Sequence, residues 1–503
     1  MSLSTAVRSL PGIRQAAAIM GTERNKATLE ASGLLVGEAV GARPDDLVIV
    51  VQGDDEQAVA GAVTHLERLL AQEAPRTALG GETEGHPHSL GAALKSHPGA
   101  NLALISVPGV YAAAEAVKAL RSGLHVQVFS DNVTIEEEVA LKRLGQELGL
   151  LVMGPDCGTS LIGGVPLGFA NAVARGPIGL IGASGTGIQE VSVLVHHLGS
   201  GISHALGTGG RDLSDAVGGV TTLQALQLLE QDPATRVIVI ISKPPGARTA
   251  ETVLAQAQAC RKPVVINFLG WPVPSSGRVT GAATLEEAAA KAVALARGES
   301  PEGWREAFSR ADSRSLIMAE AAQKTPGQRY LRGLYSGGTL AEEAIYVLEP
   351  KLGAIFSNVS LRPEHILQNP RQSHGHCVVD LGDDEFTRGR PHPMIDPSYR
   401  AERLVAEAAD PEVAVLLLDV VLGFGAHPNP AGVLAEAIRT ARALSGRHLT
   451  VVASVCGTSA DPQDAERQEA ILRGEGVIVL PSNACAAEVA GEIARRCVER
   501  GVE

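Results

Sequence analysis

Aromatic side chains are scarce in this 503-residue chain, which holds two Trp, five Tyr and seven Phe, 3% in all. Together with a net charge of −13, this leaves few stacking platforms for bases and a bulk field that repels polyanions, so nucleic acid is not an expected partner. Cysteine is sparse too. Cys157, Cys260, Cys377, Cys456, Cys485 and Cys497 are scattered and form no CxxC pair. That argues against a disulfide framework and a zinc knuckle, leaving buried, reduced thiols and no metal site as the expectation. Apolar runs are short, and even Val413 to Phe424 falls far below a membrane span. Met1-Ser2-Leu3-Ser4 lacks a basic segment followed by an apolar one, so no secretory signal is expected and the cytoplasm is the expected compartment. No GxxxxGK[ST] phosphate loop occurs, so nucleotide hydrolysis by this chain alone is not expected.

What the chain does have is 45% apolar residues arranged in short β-branched runs that alternate with Ala- and Leu-rich helical stretches. This is the pattern of parallel sheets with helical crossovers, an α/β fold. The expected organisation is a small N-terminal α/β domain (1–74), a linker (75–91), a Rossmann-like unit without its glycine fingerprint (92–172), a third unit (175–298), a charged helical connector (299–325) and a fourth unit (326–503). The N-terminal domain reads as two strand-then-helix passes. Pro, Gly and polar residues fill the linker, where His86 and His88 read as solvated loop residues rather than metal ligands.

Two glycine-rich turns look like copies of one another. Ile178 to Ile181 leads into Gly182–Glu190, and Tyr330 to Leu334 leads into Tyr335–Glu343. Each is expected to pass a strand directly into a helix, whose start leaves backbone N–H groups unpaired and carries the positive end of the peptide dipoles. Ser184, Gly185 and Thr186 in one turn, and Gly337, Gly338 and Thr339 in the other, with Ser336 beside them, form a pair of candidate phosphate cradles. Plain N-capping by Ser and Thr is the competing reading. The order of signals after each turn also matches. In the third unit come Gly209-Gly210-Arg211-Asp212 and then Ser242-Lys243-Pro244; in the fourth come Asp380-Leu381-Gly382-Asp383-Asp384 and then Asp419. An internal duplication is the reading.

Arg211, Lys243, Arg390 and His392 are the cationic candidates nearest these loops in sequence. Arg390, His392 and Arg211 are the expected catalytic residues, able to neutralise charge on a leaving phosphate. Prolines flank His392 and stiffen its backbone. Substrate contacts are expected from Asp156, Cys157 and Gly158, from Asp212, and from Asp383 and Asp384. Competing readings are turn residues for the aspartates and a structural thiol for Cys157.

Met153–Ser160, Ile181–Glu190, Gly209–Ser214, Leu381–Asp384, Gly389–Pro397 and Leu417–Val421, taken together and in this order, resemble the acyl-CoA synthetase superfamily that includes succinyl-CoA synthetase, and within it the FdrA-type branch. The resemblance implies a CoA-binding-type Rossmann domain followed by two flavodoxin-like domains whose helix starts face each other across a phosphohistidine. It covers nearly the whole chain, with two departures: Ser276–Ala283 holds no His where relatives carry Gly-His-Ala-Gly-Ala, and no ATP-grasp domain is present. FdrA-type proteins resemble the large subunit of oxamate carbamoyltransferase. The implied function is therefore carbamoyl transfer (carbamoyl phosphate plus oxamate giving oxalurate plus phosphate) in a hetero-oligomer with other subunits. The usual transcarbamylase signature is replaced by Ser313-Arg314-Ser315-Leu316. The alternatives are a CoA ligase acting through an acyl phosphate and CoA, or a non-catalytic scaffold. No tightly bound cofactor is expected, and CoA is the one candidate.

Overall fold

The computed structural model describes residues 7, 10–21, 25–26, 29–30, 33–43, 46–72, 87–308, 313–387 and 390–500. His86, Gly389 and most of the expected linker lie outside them. The chain forms two compact units, one holding residues 1–86 with 387–391, the other 87–386 with 392–503.

In the first unit, β1 (Ile13–Met20) pairs with β2 (Leu47–Gly53), and α1 (Glu56–Gln72) follows. The strands run antiparallel, which corrects the expectation of parallel passes. Alternation along the sequence does not record the relative direction of two paired strands. Val7, Ala16, Ala62 and Leu66 bury one small apolar cluster, and Leu29, Leu34, Val48 and Val50 a second.

The second unit contains three sheets. The smallest has the order β3-β4-β5 and is parallel, built from β3 (Leu102–Ile105), β4 (His125–Val128) and β5 (Val152–Met153). It is covered by α2 (Gly109–Arg121) and α3 (Ile135–Leu148); α3 starts in a Thr134/Glu137 capping box and stops at left-handed Gly149.

The next sheet begins with a hairpin, β6 (Thr159–Ile162) and β7 (Val165–Gly168), and continues with β8 (Arg175–Ala183), β9 (Ile202–Gly207), β10 (Val237–Ser242), β11 (Val264–Phe268) and β12 (Val279–Gly281). Its order is β12-β11-β10-β8-β9-β6-β7. The connecting helices are α4 (Gly185–His197), α5 (Val220–Gln231), α6 (Ala247–Ala259) and α7 (Leu285–Arg297).

The third sheet holds β13 (Tyr330–Tyr335), β14 (Ile355–Phe356), β15 (His376–Asp380), β16 (Val413–Val421), β17 (Thr450–Cys456) and β18 (Ile478–Leu480), in the order β14-β15-β13-β16-β17-β18 and parallel throughout. Its helices are α8 (Gly338–Leu352), α9 (Ser398–Ala409), α10 (Pro430–Ser445), α11 (Ala465–Gly474) and α12 (Asn483–Arg500). All nine residues of β16 are buried, as expected of a parallel strand covered on both faces.

Strand order shows the duplication. Leaving out the hairpin and the short β14, each of the larger sheets has the flavodoxin-like arrangement 2-1-3-4-5, with β8 and β13 in the first position. In such sheets the crevice for ligands opens where the connections diverge from the first strand, at its C-terminal end. α4 and α8 both begin there.

The two flavodoxin-like layers share one core. A single apolar cluster takes in Ile188 and Val191 of α4, Leu285 and Ala289 of α7, Leu340 and Ala344 of α8, and Ile493 of α12. Burial of each large apolar side chain contributes about 1.5–3 kcal/mol, so this joint is a packed core. Carboxyl groups are built into it. Glu190 accepts from Asn483 N (3.0 Å), and Glu343 accepts from Leu285 N (2.7 Å) and Asn483 Nδ2 (2.8 Å), which caps the starts of α7 and α12 from neighbouring helices.

Burial pushes the Glu190 carboxyl up to about 7 and that of Glu343 up to about 8, from an ordinary 4.5. Between these limits the folded chain holds more protons than the unfolded one, so the sign is fixed. The contribution of these two groups to stability is fullest below about 4.5 and is lost as pH rises through about 7 and then 8. Thermal unfolding at about pH 5.5 and about pH 8.5 should show the higher midpoint in acid, and Glu343→Gln should shrink the difference.

Candidate functional site

The two glycine turns meet. Ser184 is the N-cap of α4; its Oγ accepts from Gly187 N and donates to Thr339 Oγ1 on α8 at 2.7 Å. Gly337 lies against Thr186: a Cβ on Gly337 would stand 2.9–3.0 Å from the Thr186 side chain. Two helix starts thus face each other, and the N–H groups of Gly185, Thr186, Gly338 and Thr339 have no intrahelical partner. Gly185, Thr186 and Gly338 are half-buried, within reach of a small anion.

The second turn is tied down by a buried carboxylate. Asp419, within β16, accepts from Ser336 N (2.9 and 3.1 Å), Ser336 Oγ (3.0 Å) and Gly337 N (2.9 Å), and Arg400 Nη2 reaches its Oδ1 at 2.7 Å. Arg400 also donates to Leu334 O and Asp419 O. Ser336 is therefore occupied in bracing the turn, and the open donors begin at Gly338.

Lys243, just after β10, stands at the mouth of the second turn. Its Nζ forms an ion pair with Glu342 at 2.7 Å and lies 3.6 Å from a Cβ placed on Gly338. Burial alone lowers an ammonium pKa; here Glu342, Asp380 and Asp156 outweigh it and hold Lys243 above the usual lysine value. Asp380 ends β15 and is buried, with an oxygen 2.6 Å from the same Cβ position. Burial pushes its carboxyl up to about 7, against the pull of Lys243 and the Gly382 N–H. Asp156 reaches solvent from a crowded cleft. Its carboxyl is raised to about 6 by desolvation, with Asp131 and Asp384 adding to the rise and Lys243 and Arg211 opposing it.

His392 closes one side, its ring 6.0 Å from Phe169, which in turn lies 5.7 Å from Phe129. Burial lowers the imidazole to about 4, so it is neutral near pH 7. Its Nδ1 accepts from Met394 N at 3.2 Å, which leaves the proton on Nε2 as a donor. The arrangement offers two helix dipoles, one ammonium, one neutral imidazole N–H, and two carboxyls whose proton affinities lie near neutrality. It is suited to holding an oxyanion and moving a proton beside it.

Other residues singled out from the sequence are placed differently. Both oxygens of Asp212 are taken, by buried Lys142 (2.6 Å), Thr221 N, and Thr222 N and Oγ1; it braces the start of α5 rather than contacting substrate. Arg211 donates to Val133 O and pairs with Glu138 at 2.9 Å, so its role at the cleft is electrostatic, through Asp156. The Cys157 thiol is buried against Ser160, and burial pushes it up to about 11. It is a structural thiol, which corrects its expected substrate contact. Gly158 carries the carbonyl that receives Phe169 N. Asp383 caps the short turn Asp384–Thr387 by accepting from Glu385 N, and Asp384 is exposed. Arg390 is exposed and belongs to the other compact unit, so it is not counted in this site.

Sequence reading missed Asp380, Glu342, Asp419 and Arg400 as a set. One signal was available. Asp419 interrupts an otherwise apolar nine-residue strand, and a carboxylate there is costly unless partnered.

Filling the cradle should abolish its use. Gly338→Val is expected to block anion binding, because its added carbons meet Asp380 and Lys243. Calorimetric titration with inorganic phosphate on the folded variant checks this; unchanged affinity would remove Gly338 from the site.

Comparison with known proteins gives three domain matches: "CoA-ligase" over residues 334–493, "CoA binding domain" over 174–270, and "AllF, heavy metal-associated domain" over 1–87. The chain is 44% identical over 513 residues to "Uncharacterized protein YahF" of Escherichia coli, covering 100% of this chain and 96% of that one. It is 27% identical to "ADP-forming sulfoacetate-CoA ligase subunit SauD" of Bilophila wadsworthia, over 46% of this chain and 83% of the relative. To the "Succinate--CoA ligase [ADP-forming] subunit alpha" of Aquifex aeolicus it is 29% identical, over 40% and 67%. The residues present do not fit a heavy metal: 1–87 contain no cysteine, and no group of three metal-ligating side chains occurs among the described residues. Among those residues, no helix is long and apolar enough to cross a membrane.

Proposed function

We propose, from the premise that this chain belongs to the family of the Escherichia coli protein YahF and has a succinyl-CoA synthetase-like fold, that it is an acyl-transfer enzyme of the CoA-ligase type. Phosphate sits between the starts of α4 and α8, and the acyl group passes between that phosphate and the thiol of CoA. In the forward direction the thiol sulfur bonds to the acyl carbon, the carbon–oxygen bond to phosphate breaks, the thiol proton leaves to a carboxyl, and phosphate departs. The N–H groups of Gly185, Thr186, Gly338 and Thr339 with Lys243 hold the leaving oxygens. Asp380, with its proton affinity near neutrality, takes the proton. His392 Nε2 donates to the acyl oxygen.

One observation carries this reading: the 2.7 Å hydrogen bond between Ser184 and Thr339 across the paired helix starts. Two positive dipole ends brought together repel unless an anion lies between them. The test is thioester formation from CoA and a panel of acyl phosphates, with phosphate release followed in parallel. Expected is CoA-dependent release, abolished in Thr186→Ala/Thr339→Ala; no thioester from any donor would overturn the CoA arm.

A second reading is carbamoyl transfer to oxamate, within a complex containing smaller subunits. It is favoured by the absence of histidine from Ser276–Ala283, since a phosphate arriving as carbamoyl phosphate needs no histidine carrier. Incubation of the complex with oxalurate and phosphate distinguishes it, by release of oxamate without CoA.

A further inference from the structure

We propose that Phe169 is a specificity-determining residue of this site, an apolar wall beside the anion cradle that admits a short acyl group and turns away a long one. The proposal rests on the reading of the paired helix starts as a phosphate site.

The ring borders both arms of the cradle. Its Cδ2 stands 3.8 Å from a Cβ placed on Gly158, and the next residue is Thr159, whose Oγ1 is 3.2 Å from a Cβ placed on Gly185 at the start of α4. On its other side the ring centroid is 6.0 Å from that of His392. His392 Nε2 is 2.5 Å from a Cβ placed on Gly382, and the carbonyl oxygen of Ser336, in the second turn, is 2.8 Å from the same position. Phe129 adds a second ring at 5.7 Å. Phe169, Gly158, His392 and Gly382 are all half-buried, so they line a cleft rather than the core. Lys243, Asp380 and Asp156 make the rest of the surroundings polar, and the hydrocarbon of an acyl group is best buried against the Phe169 ring.

The backbone keeps this wall from retreating. Phe169 N donates to Gly158 O at 2.7 Å, and Ala170 forms an antiparallel bridge with Phe424. Asn171 Nδ2 donates to Leu422 O (3.1 Å) and Asp461 Oδ2 (2.9 Å), and Ala172 N to Asp461 Oδ1 (2.6 Å). The segment before β8 is thereby fastened to the segment after β16. Gly425 lies against the ring, where a Cβ would stand 3.1 Å from Cδ1, and its φ of +82° favours glycine. A wall fixed in this way discriminates by length, since one methylene too many in a closed pocket costs about 10- to 200-fold.

Calorimetric titration of the full chain tests this with three stable probes: inorganic phosphate, acetonylphosphonate, which copies an acetyl phosphate, and its homologue with a pentyl group in place of the methyl. Expected is that the wild type binds the short phosphonate about tenfold or more tightly than the long one. Phe169→Ala should bring the two phosphonates to equal affinity by strengthening the long one, with phosphate affinity unchanged. Phe169→Leu, which keeps an apolar side chain against the core and so protects the fold, should fall between. A general loss of structure would weaken all three probes together and would not change their ratio. If phosphate binds but the wild type takes both phosphonates equally, or the preference survives in both Phe169 variants, the proposal is overturned and the cradle stands. If neither phosphate nor acetonylphosphonate binds the wild type, the cradle itself is overturned and this proposal with it.

Discussion

Lys243→Met is expected to lower turnover with an acyl phosphate and CoA by about 10²- to 10³-fold, the usual cost of removing one preorganised group that stabilises developing charge. The ammonium sits beside the open end of α8 and is held charged by Glu342, Asp380 and Asp156. Loss of the cation leaves three carboxyls around an anion site, so phosphate should bind weakly as well as react slowly. The fold should survive, since Glu342 is already raised above its ordinary value by burial and can take up a proton when its partner is gone. Lys243→Arg keeps the charge and should recover part of the rate. The prediction is independent of the acceptor, because both acyl and carbamoyl donors leave phosphate in the same place. Wild-type kinetics in Lys243→Met would show that the cradle is not where charge develops.

Asp419→Ala should be the most destabilising single change at the site, costing about 3–5 kcal/mol, as is typical when one member of a buried ion pair is removed. Arg400 would be left as a buried cation, and the N–H groups of Ser336 and Gly337 would lose the acceptor that shapes the turn. Chemical denaturation measures the loss, and Asp419→Asn, which keeps some of the acceptors, should fall between the two. A change within about 0.5 kcal/mol, the level of an ordinary surface substitution, would mean that the turn is held by packing alone.

Much of the fold was legible because its causes are local. The run Val413 to Leu418 announces a strand covered on both faces, Thr134 with Glu137 announces a helix start, and the paired glycine turns announce two strand-to-helix joints. The antiparallel run of β1 and β2 was not legible, since nothing in either strand records the direction of its neighbour. The site was legible in part. Ser184, Thr186 and Thr339 were singled out from their turns, and the turns do meet, whereas Asp212 was drawn in by its place in a repeated motif and proves to be bonded to Lys142 and the start of α5. The duplication preserves the order of signals but not the duty of each residue: Lys243 follows the third strand of its sheet, and Asp419, bracing the turn from inside β16, belongs to the third strand of the other.

By itself the sequence determined the α/β class, the repeated strand–glycine–helix turns and the absence of a phosphate loop or paired cysteines. These depend on periodicity, backbone freedom and residue type within a few positions of one another. Only the tertiary structure decided that Ser184 and Thr339, 155 residues apart, share a hydrogen bond, and that Lys243, Asp380 and Asp156 crowd one cleft and shift one another's proton affinities. The physical reason is that electrostatic coupling and burial depend on distance in space, and chain separation carries no record of that distance until the sheets have formed and packed.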